Sequence, residues 1–549
     1  MKNVLLLCMS PLNSKAKINK YTYESKKGTQ FIEGVMTNEA PTKAVIGLLE
    51  EKGDSNRLDK VVMICSDAVK KTIELDKDNK NLQNLKQVDI NECMEDSHIE
   101  LYKKLINSYA KEINSSYINS PIKYETVGIA DFTEADDVSK SVIEAANKVS
   151  EAGEQVNLFI DFNGGQRYVA FMILAIANLM KIRQVNIEQI MTMNYDDKVD
   201  ITPIQNMESV FSSFDLIAGI NEYINYGRIK TLRSYFKPSS NKEIKEILAK
   251  MEEFSNNLQL CRTGYVMSHR NELLKMLKEY SEKKRETEVL DTYEQLFEYV
   301  VNDILTGYEG LLTGDLPDII KWCVDNDFIQ QALTFTSEEM PGYFWGSGLF
   351  KASASEEAEY DKFLEKVHDP SSEEYKTQKR YYRKKHSKNS SKYAYEWMIN
   401  YLPQQDKVRT NKKESDNIKK KPDNIKKELD NIKKELDNIK KELKNLNKNK
   451  IKDNKVLEKA TKYAAPLIWH IKQRNGRAVC GRNGEILFKE VIILYFALKE
   501  QRNLTNHADG ETGEADSWSY EYLCEVLVKL CNALEKWKKC NANRKQQGR

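Results

Sequence analysis

Residues 156–167 read Val-Asn-Leu-Phe-Ile-Asp-Phe-Asn-Gly-Gly-Gln-Arg, and residues 168–180 (YVAFMILAIANLM) continue almost without a polar side chain. A short apolar run closed by turn residues is a strand buried on both faces, and the longer run after it is a buried helix. Four more runs of the first kind lie in the same part of the chain: residues 4–9 (VLLLCM), 61–65 (VVMIC), 124–129 and 187–193. Helical stretches such as 99–113 and 138–149 separate them. Alternation of this kind predicts a parallel sheet with helices on both faces, a Rossmann-like α/β domain over residues 1–205.

Strand signals fade from residue 210 onward. Residues 206–350 read as a helical linker and the first part of an all-α C-terminal domain, with a helix, a turn at Asn326 and a second helix over 318–335 (DIIKWCVDNDFIQQALTF). Residues 351–455 are a polar, Lys-rich insertion. Within it, over 416–443, Ile418, Ile425, Ile432 and Ile439 recur every seven residues, and Leu429, Leu436 and Leu443 follow the last three by four. Such a stripe fits either a dimerising coiled coil or a solvated helical insertion. Few heptads and Pro422 at the start favour the insertion. Globular character returns over 456–549, where 485–498 (EILFKEVIILYFAL) is apolar on nearly every side and the last helix buries a stripe from Trp518 to Trp537.

At 549 residues the chain needs two or three cores. Its net charge of +2 is uneven: residues 411–455 hold 16 Lys against 9 acids, or +7, which leaves −5 for the rest. Net charge therefore does not argue for nucleic-acid binding by the folded part. Nine scattered cysteines without a C-x-x-C pair fit a reducing compartment and argue against a disulfide framework or a structural zinc. The N-terminal apolar run is too short for a signal peptide, and the stretch 168–180 is too short to cross a bilayer. The expectation is a cytoplasmic protein with no membrane or DNA partner.

Two constellations carry chemistry. Gly164 and Gly165 let the backbone approach a ligand at the start of a helix, whose free N–H groups suit phosphate. Arg167 adds a cation, Asn163 and Gln166 offer groups that can read a base or ribose edge, and Ser10 and Asn13 end the first strand nearby. There is no G-x-G-x-x-G, which argues against a dinucleotide dehydrogenase. The second constellation is Arg502-Asn503-Leu504-Thr505-Asn506-His507, directly after the most apolar helix. An Arg fork can orient a phosphate and offset charge on a phosphorane, while His507 titrates near neutrality and can move protons. Because ribose supplies its own 2′-hydroxyl nucleophile, this pair could cleave RNA without a metal. Arg262 with His269 and Arg380 with His386 meet the same loose spacing but lack the buried helix before the arginine.

In these residues the chain resembles the CRISPR-associated CARF–HEPN ribonucleases of type III systems. DFNGGQR (161–167) stands in the place of that family's Asp-x-Thr-x-Gly-x-Arg turn, with Asn163 where threonine is usual. WCVDNDFIQQALTF (322–335) looks like a helix pair common in these proteins, and RNLTNH (502–507) looks like the HEPN Arg-polar-x-x-x-His motif. The resemblance implies a CARF sensor that binds a cyclic oligoadenylate as allosteric activator, with no further cofactor. It also implies a homodimer in which Arg502, Asn503 and His507 from two copies form one site cleaving single-stranded RNA. The competing reading is a ligand-sensing regulator or adaptor that cuts nothing.

Overall fold

All five apolar runs are strands. A computed structural model describes the chain except for residues 54–55, 75–92, 94, 130–134, 154, 166, 195–198, 284–290, 348, 350–357, nearly all of 359–422, 447–454, 475–480, 507–517 and 547–549. The described chain divides into two compact units, Met1–Phe214 and Asp215–Arg549. The first is built on β1 (Lys2–Cys8), β2 (Asn19–Ser25), β3 (Gly28–Gly34), β4 (Leu58–Cys65), β5 (Lys123–Gly128), β6 (Val156–Asp161), β7 (Asn186–Met193) and β8 (Ile201–Asn206). They form one sheet in the order β3-β2-β8-β7-β6-β1-β4-β5.

The apolar runs are the five consecutive parallel strands β7-β6-β1-β4-β5. Their continuous hydrophobicity follows from cover on both sides. Leu5, Leu7, Val61 and Met63 face a core shared with the helices Glu39–Glu50 and His98–Ile113. Val4, Leu6, Val62 and Ile64 face one shared with Ala135–Ser150 and Arg167–Ile182.

The remaining strands make the sheet mixed, which the parallel reading left out. β2 and β3 form an antiparallel hairpin, β8 runs antiparallel to β7, and β2 pairs in parallel with β8. In β2, Tyr21 and Tyr23 are buried while Lys20 and Glu24 are exposed, and in β8 Thr202 and Ile204 are buried while Pro203 and Gln205 are exposed. One covered face gives alternation rather than an apolar run, and six or seven residues of it are easily read as loop.

All described regular elements of the second unit are helices. Its core runs from Leu216 through Phe297, Ile320 and Phe344 to Leu494, Leu530 and Trp537, so residues 456–549 share one interior with the helices before the insertion. The expected helix pair is Leu316–Asp325 and Ile329–Ser347. The first starts on a reciprocal Asp315/Asp318 capping box, and Asp327, at φ 61°, turns the chain between them.

The heptad helix, Asp423–Leu446, departs from the solvated insertion expected for it. Ile432, Leu436, Ile439 and Leu443 are buried in the core of this unit. They pack beside the helices Lys455–Arg474, Gly481–Asn506 and Tyr520–Gln546. Tyr522 Oη donates to Leu443 O (2.9 Å), and Lys489 pairs with Glu435. The stripe is therefore satisfied within one chain, which also removes the need for a coiled-coil partner; Ile418 lies outside the described residues. Leu436→Ala should cost about 2–5 kcal/mol, the cost of truncating a fully buried leucine. Urea unfolding followed by tryptophan fluorescence measures it, and an unchanged midpoint would contradict this packing.

Candidate functional site

Among the five parallel strands of the first unit, β4 and β5 lie to one side of β1, and β6 and β7, which come later in the chain, lie to the other. The reversal lies between β1 and β6, where loops at the carboxyl ends of parallel strands part and leave a crevice. Ser10 follows β1 there, and Asn163, Gly164 and Gly165 follow β6. Gly165 N donates to Ser10 Oγ (3.0 Å), which joins the two loops; the hydroxyl keeps a proton of its own to donate. Both glycines have positive φ, 101° and 70°. A Cβ on Gly164 would stand 2.5 Å from Cys8 O, and one on Gly165 2.3 Å from Cys8 Sγ. The turn is thus pressed onto the end of β1 and admits no side chain. The helix Arg167–Ile182 starts directly after it.

Beneath the turn lies Asp161, the last residue of β6, with no exposed surface. Its Oδ1 accepts from Asn163 N (2.9 Å) and Asn163 Nδ2 (2.6 Å), and its Oδ2 from Asn38 Nδ2 (2.8 Å). All three donors are neutral, so burial dominates and pushes the carboxyl up to about 7 despite the hydrogen bonds. Cys8 is held up to about 12, mostly by its own burial, with Cys65 and Asp161 adding to it. Asn163 has little left for a ligand: its Oδ1 also accepts from Met193 N (2.7 Å), and its residue is buried. Asn13 is exposed, and its Oδ1 accepts from Lys15 N (2.9 Å). The loop from Ser10 to Asn13 is anchored where Leu12 N donates to Nδ1 of His98, whose ring burial holds below its usual pKa. Gln166 lies outside the described residues. Asn38 was missed from sequence, and Asp161, noted there only as the first residue of the DFNGGQR turn, was given no role. Asn38 stands 123 residues from Asp161, and no local pattern connects them.

In the second unit Arg502 and Asn503 lie in the last turns of the helix Gly481–Asn506, and His507 lies outside the described residues. Residues 491–498 are buried all round that helix and fix its position. Gln501 is fully buried and accepts from Trp518 N (3.0 Å), so the chain beyond the helix is tied back beside Arg502. The Arg502 guanidinium is partly exposed and has Nη2 3.3 Å from Glu338 Oε1. Its Nε is buried without a hydrogen-bond partner among the described residues. Asn503 is half-buried. The rival pair is occupied locally: Arg262 Nη1 donates to Asn257 Oδ1 (3.2 Å), and His269 stacks on Tyr265 at 3.8 Å. Arg380 and His386 lie outside the described residues.

No protein-family model matches this chain, and no curated protein is significantly similar to it. Among the described residues, no cluster of His, Cys, Asp or Glu could hold a metal ion, and no helix is long and apolar enough to cross a membrane.

Because the folded pKa of Asp161 lies above that of an unfolded Asp, the native state holds a proton that the unfolded chain has lost between about pH 4 and 7. This group's contribution to stability is therefore present at low pH and is lost as pH rises through 7, at up to roughly 1.4 kcal/mol per unit. Asp161→Asn cannot titrate. Its stability relative to the wild type should rise steadily from pH 5 to 7.5 in urea unfolding monitored by circular dichroism. A pH-independent difference would show that Asp161 does not carry the shift.

Proposed function

We propose that this protein is a metal-independent endoribonuclease of the CARF–HEPN kind, activated by a cyclic oligoadenylate and cleaving single-stranded RNA in type III CRISPR defence. The observation that carries the reading is the Ser10/Gly164/Gly165 crevice at the sheet's switch point, with a helix N-terminus opening beside it. A hydroxyl donor, a close-approach glycine turn and first-turn N–H groups suit a phosphate-linked nucleotide ligand. In the other unit, a partly exposed arginine at the end of a helix with a fully buried middle suits a scissile phosphate. Arg502 would bind the phosphate and offset its developing charge, Asn503 would orient it, and His507 would transfer the proton of the 2′-hydroxyl or of the leaving oxygen. That chemistry breaks the P–O5′ bond and leaves a 2′,3′-cyclic phosphate.

The homodimer in this reading draws support from the helix Arg167–Ile182. Phe171, Ala175, Leu179 and Ile182 are exposed on it at successive spacings of four, four and three residues, although the opposite face is already buried. An uncharged stripe of this kind, starting one turn from the ligand turn, is suited to packing against its own copy about a two-fold axis.

Purified protein should cleave single-stranded RNA in EDTA only when a cyclic tetra- or hexa-adenylate is added. His507→Ala and Arg502→Ala should each lower the rate by ~100-fold or more. Cleavage undiminished in both variants would refute the site. Ring binding without RNA cleavage would favour the regulator or adaptor reading, in which the sensor drives a helical unit that binds instead of cutting.

A further inference from the structure

Asn38 departs from what its position normally does. It precedes the helix Glu39–Glu50, where an asparagine side chain ordinarily accepts a hydrogen bond from the first turn. Here it makes no such bond. Its Oδ1 accepts from Ser10 N (2.9 Å), and its Nδ2 donates to Asp161 Oδ2 (2.8 Å) and to Asn163 O (2.8 Å). One fully buried amide thus holds the loop after β1, the end of β6 and the turn that follows it.

The residue is itself held firmly. Thr42 Oγ1 donates to Asn38 O (2.7 Å) and meets Tyr102 Oη at 2.6 Å. Next in sequence, Glu39 is buried and accepts from Val35 N (2.7 Å) and Met36 N (3.2 Å). It pairs with the equally buried Lys43 at 2.5 Å, and Lys43 donates to Glu33 O (2.7 Å). The start of the helix that follows Asn38 is therefore tied to β3 by the hydrogen bond from Lys43 to a backbone carbonyl of that strand.

We propose that Asn38 is the positioning residue of the ligand turn, fixing Ser10 and Gly164-Gly165 in their binding arrangement by donating to Asp161 while accepting from Ser10. The polarity of that contact matters as much as its presence. Asn163 already supplies both hydrogen bonds to one carboxylate oxygen, and the other oxygen depends on Asn38. As regards the ligand, the proposal rests on the oligoadenylate reading; as regards the turn, it stands on the hydrogen bonds alone.

The full-length chain tests both parts. Asn38→Ser fits the buried site but removes the donor to Asp161 Oδ2 and Asn163 O, so its melting temperature should fall. At pH 8.5, above the titration of Asp161, hydrogen–deuterium exchange of the peptide spanning 159–170 should rise at least roughly tenfold, because a hydrogen bond to a charged group is lost. Affinity for cyclic tetra- or hexa-adenylate, measured by calorimetry, should fall by a similar factor. Asn38→Asp should behave worse at that pH, since it sets a second carboxylate against the ionised Asp161 and leaves Asn163 O without its donor. Combining it with Asp161→Asn re-creates one amide–carboxylate contact in reverse and should bring exchange back to within roughly threefold of the wild type. Tyr117→Phe, which removes the acceptor of Leu58 N at the opposite end of β4, should lower the melting temperature and leave exchange and affinity unchanged.

Unchanged exchange in Asn38→Ser, or a double variant no better than Asn38→Asp, would overturn the positioning role. If the wild type binds neither ring, the oligoadenylate reading fails and the exchange measurements alone decide the role of Asn38.

Discussion

A carboxylate buried with only neutral donors around it, Asp161, sets the conditions that the surrounding loops must meet. Removing such a group from water is costly, and its hydrogen bonds offset only part of that cost. An apolar residue at the end of β6 would avoid the penalty. What the carboxyl group does instead is draw three donors to one point, from the turn after β6 and from the loop before the first long helix. Each also shapes the crevice. Asn163 folds its own turn back and takes Met193 N from β7, while Asn38 reaches over to Ser10. Local instability and a defined crevice are two consequences of one buried carboxyl group, an association expected at functional sites rather than in plain cores.

This explains why the glycines cannot be separated from the rest. Gly164 and Gly165 sit at positive φ because the turn is drawn down onto Cys8, and it is drawn down because Asp161 and Ser10 hold its backbone. A turn merely rich in glycine would be mobile. Here the missing side chains permit close contact and the hydrogen bonds enforce it.

How far the sequence carried the reading depends on the range over which each determinant acts. The five parallel strands were legible because burial on both faces leaves an unbroken apolar run. The β2–β3 hairpin was not, because Tyr21, Tyr23 and Ile32 supply only one face and polar residues stand between them. The Gly-Gly turn and Ser10 were legible as local chemistry. Asn38 was invisible, since its meaning depends on partners 28 and 123 residues away. Asn163 shows the converse: sequence marked its amide as free to read a ligand, and the fold spends that amide on Asp161 and Met193.

The heptad helix makes the same point about energetics. A seven-residue repeat says that one stripe seeks burial, but it says nothing about what buries it. With Ile432, Leu436, Ile439 and Leu443 inside the second unit's core, the lysines between them are the exposed face of an integral helix rather than a disposable tract. That helix packs on Gly481–Asn506, the helix that ends in Arg502 and Asn503. A site at the end of a helix is only as well placed as the helix is fixed, and this one is gripped along its middle from several sides. The repeat thereby helps to set where the arginine stands, although it lies some sixty residues before it and carries no functional group of its own.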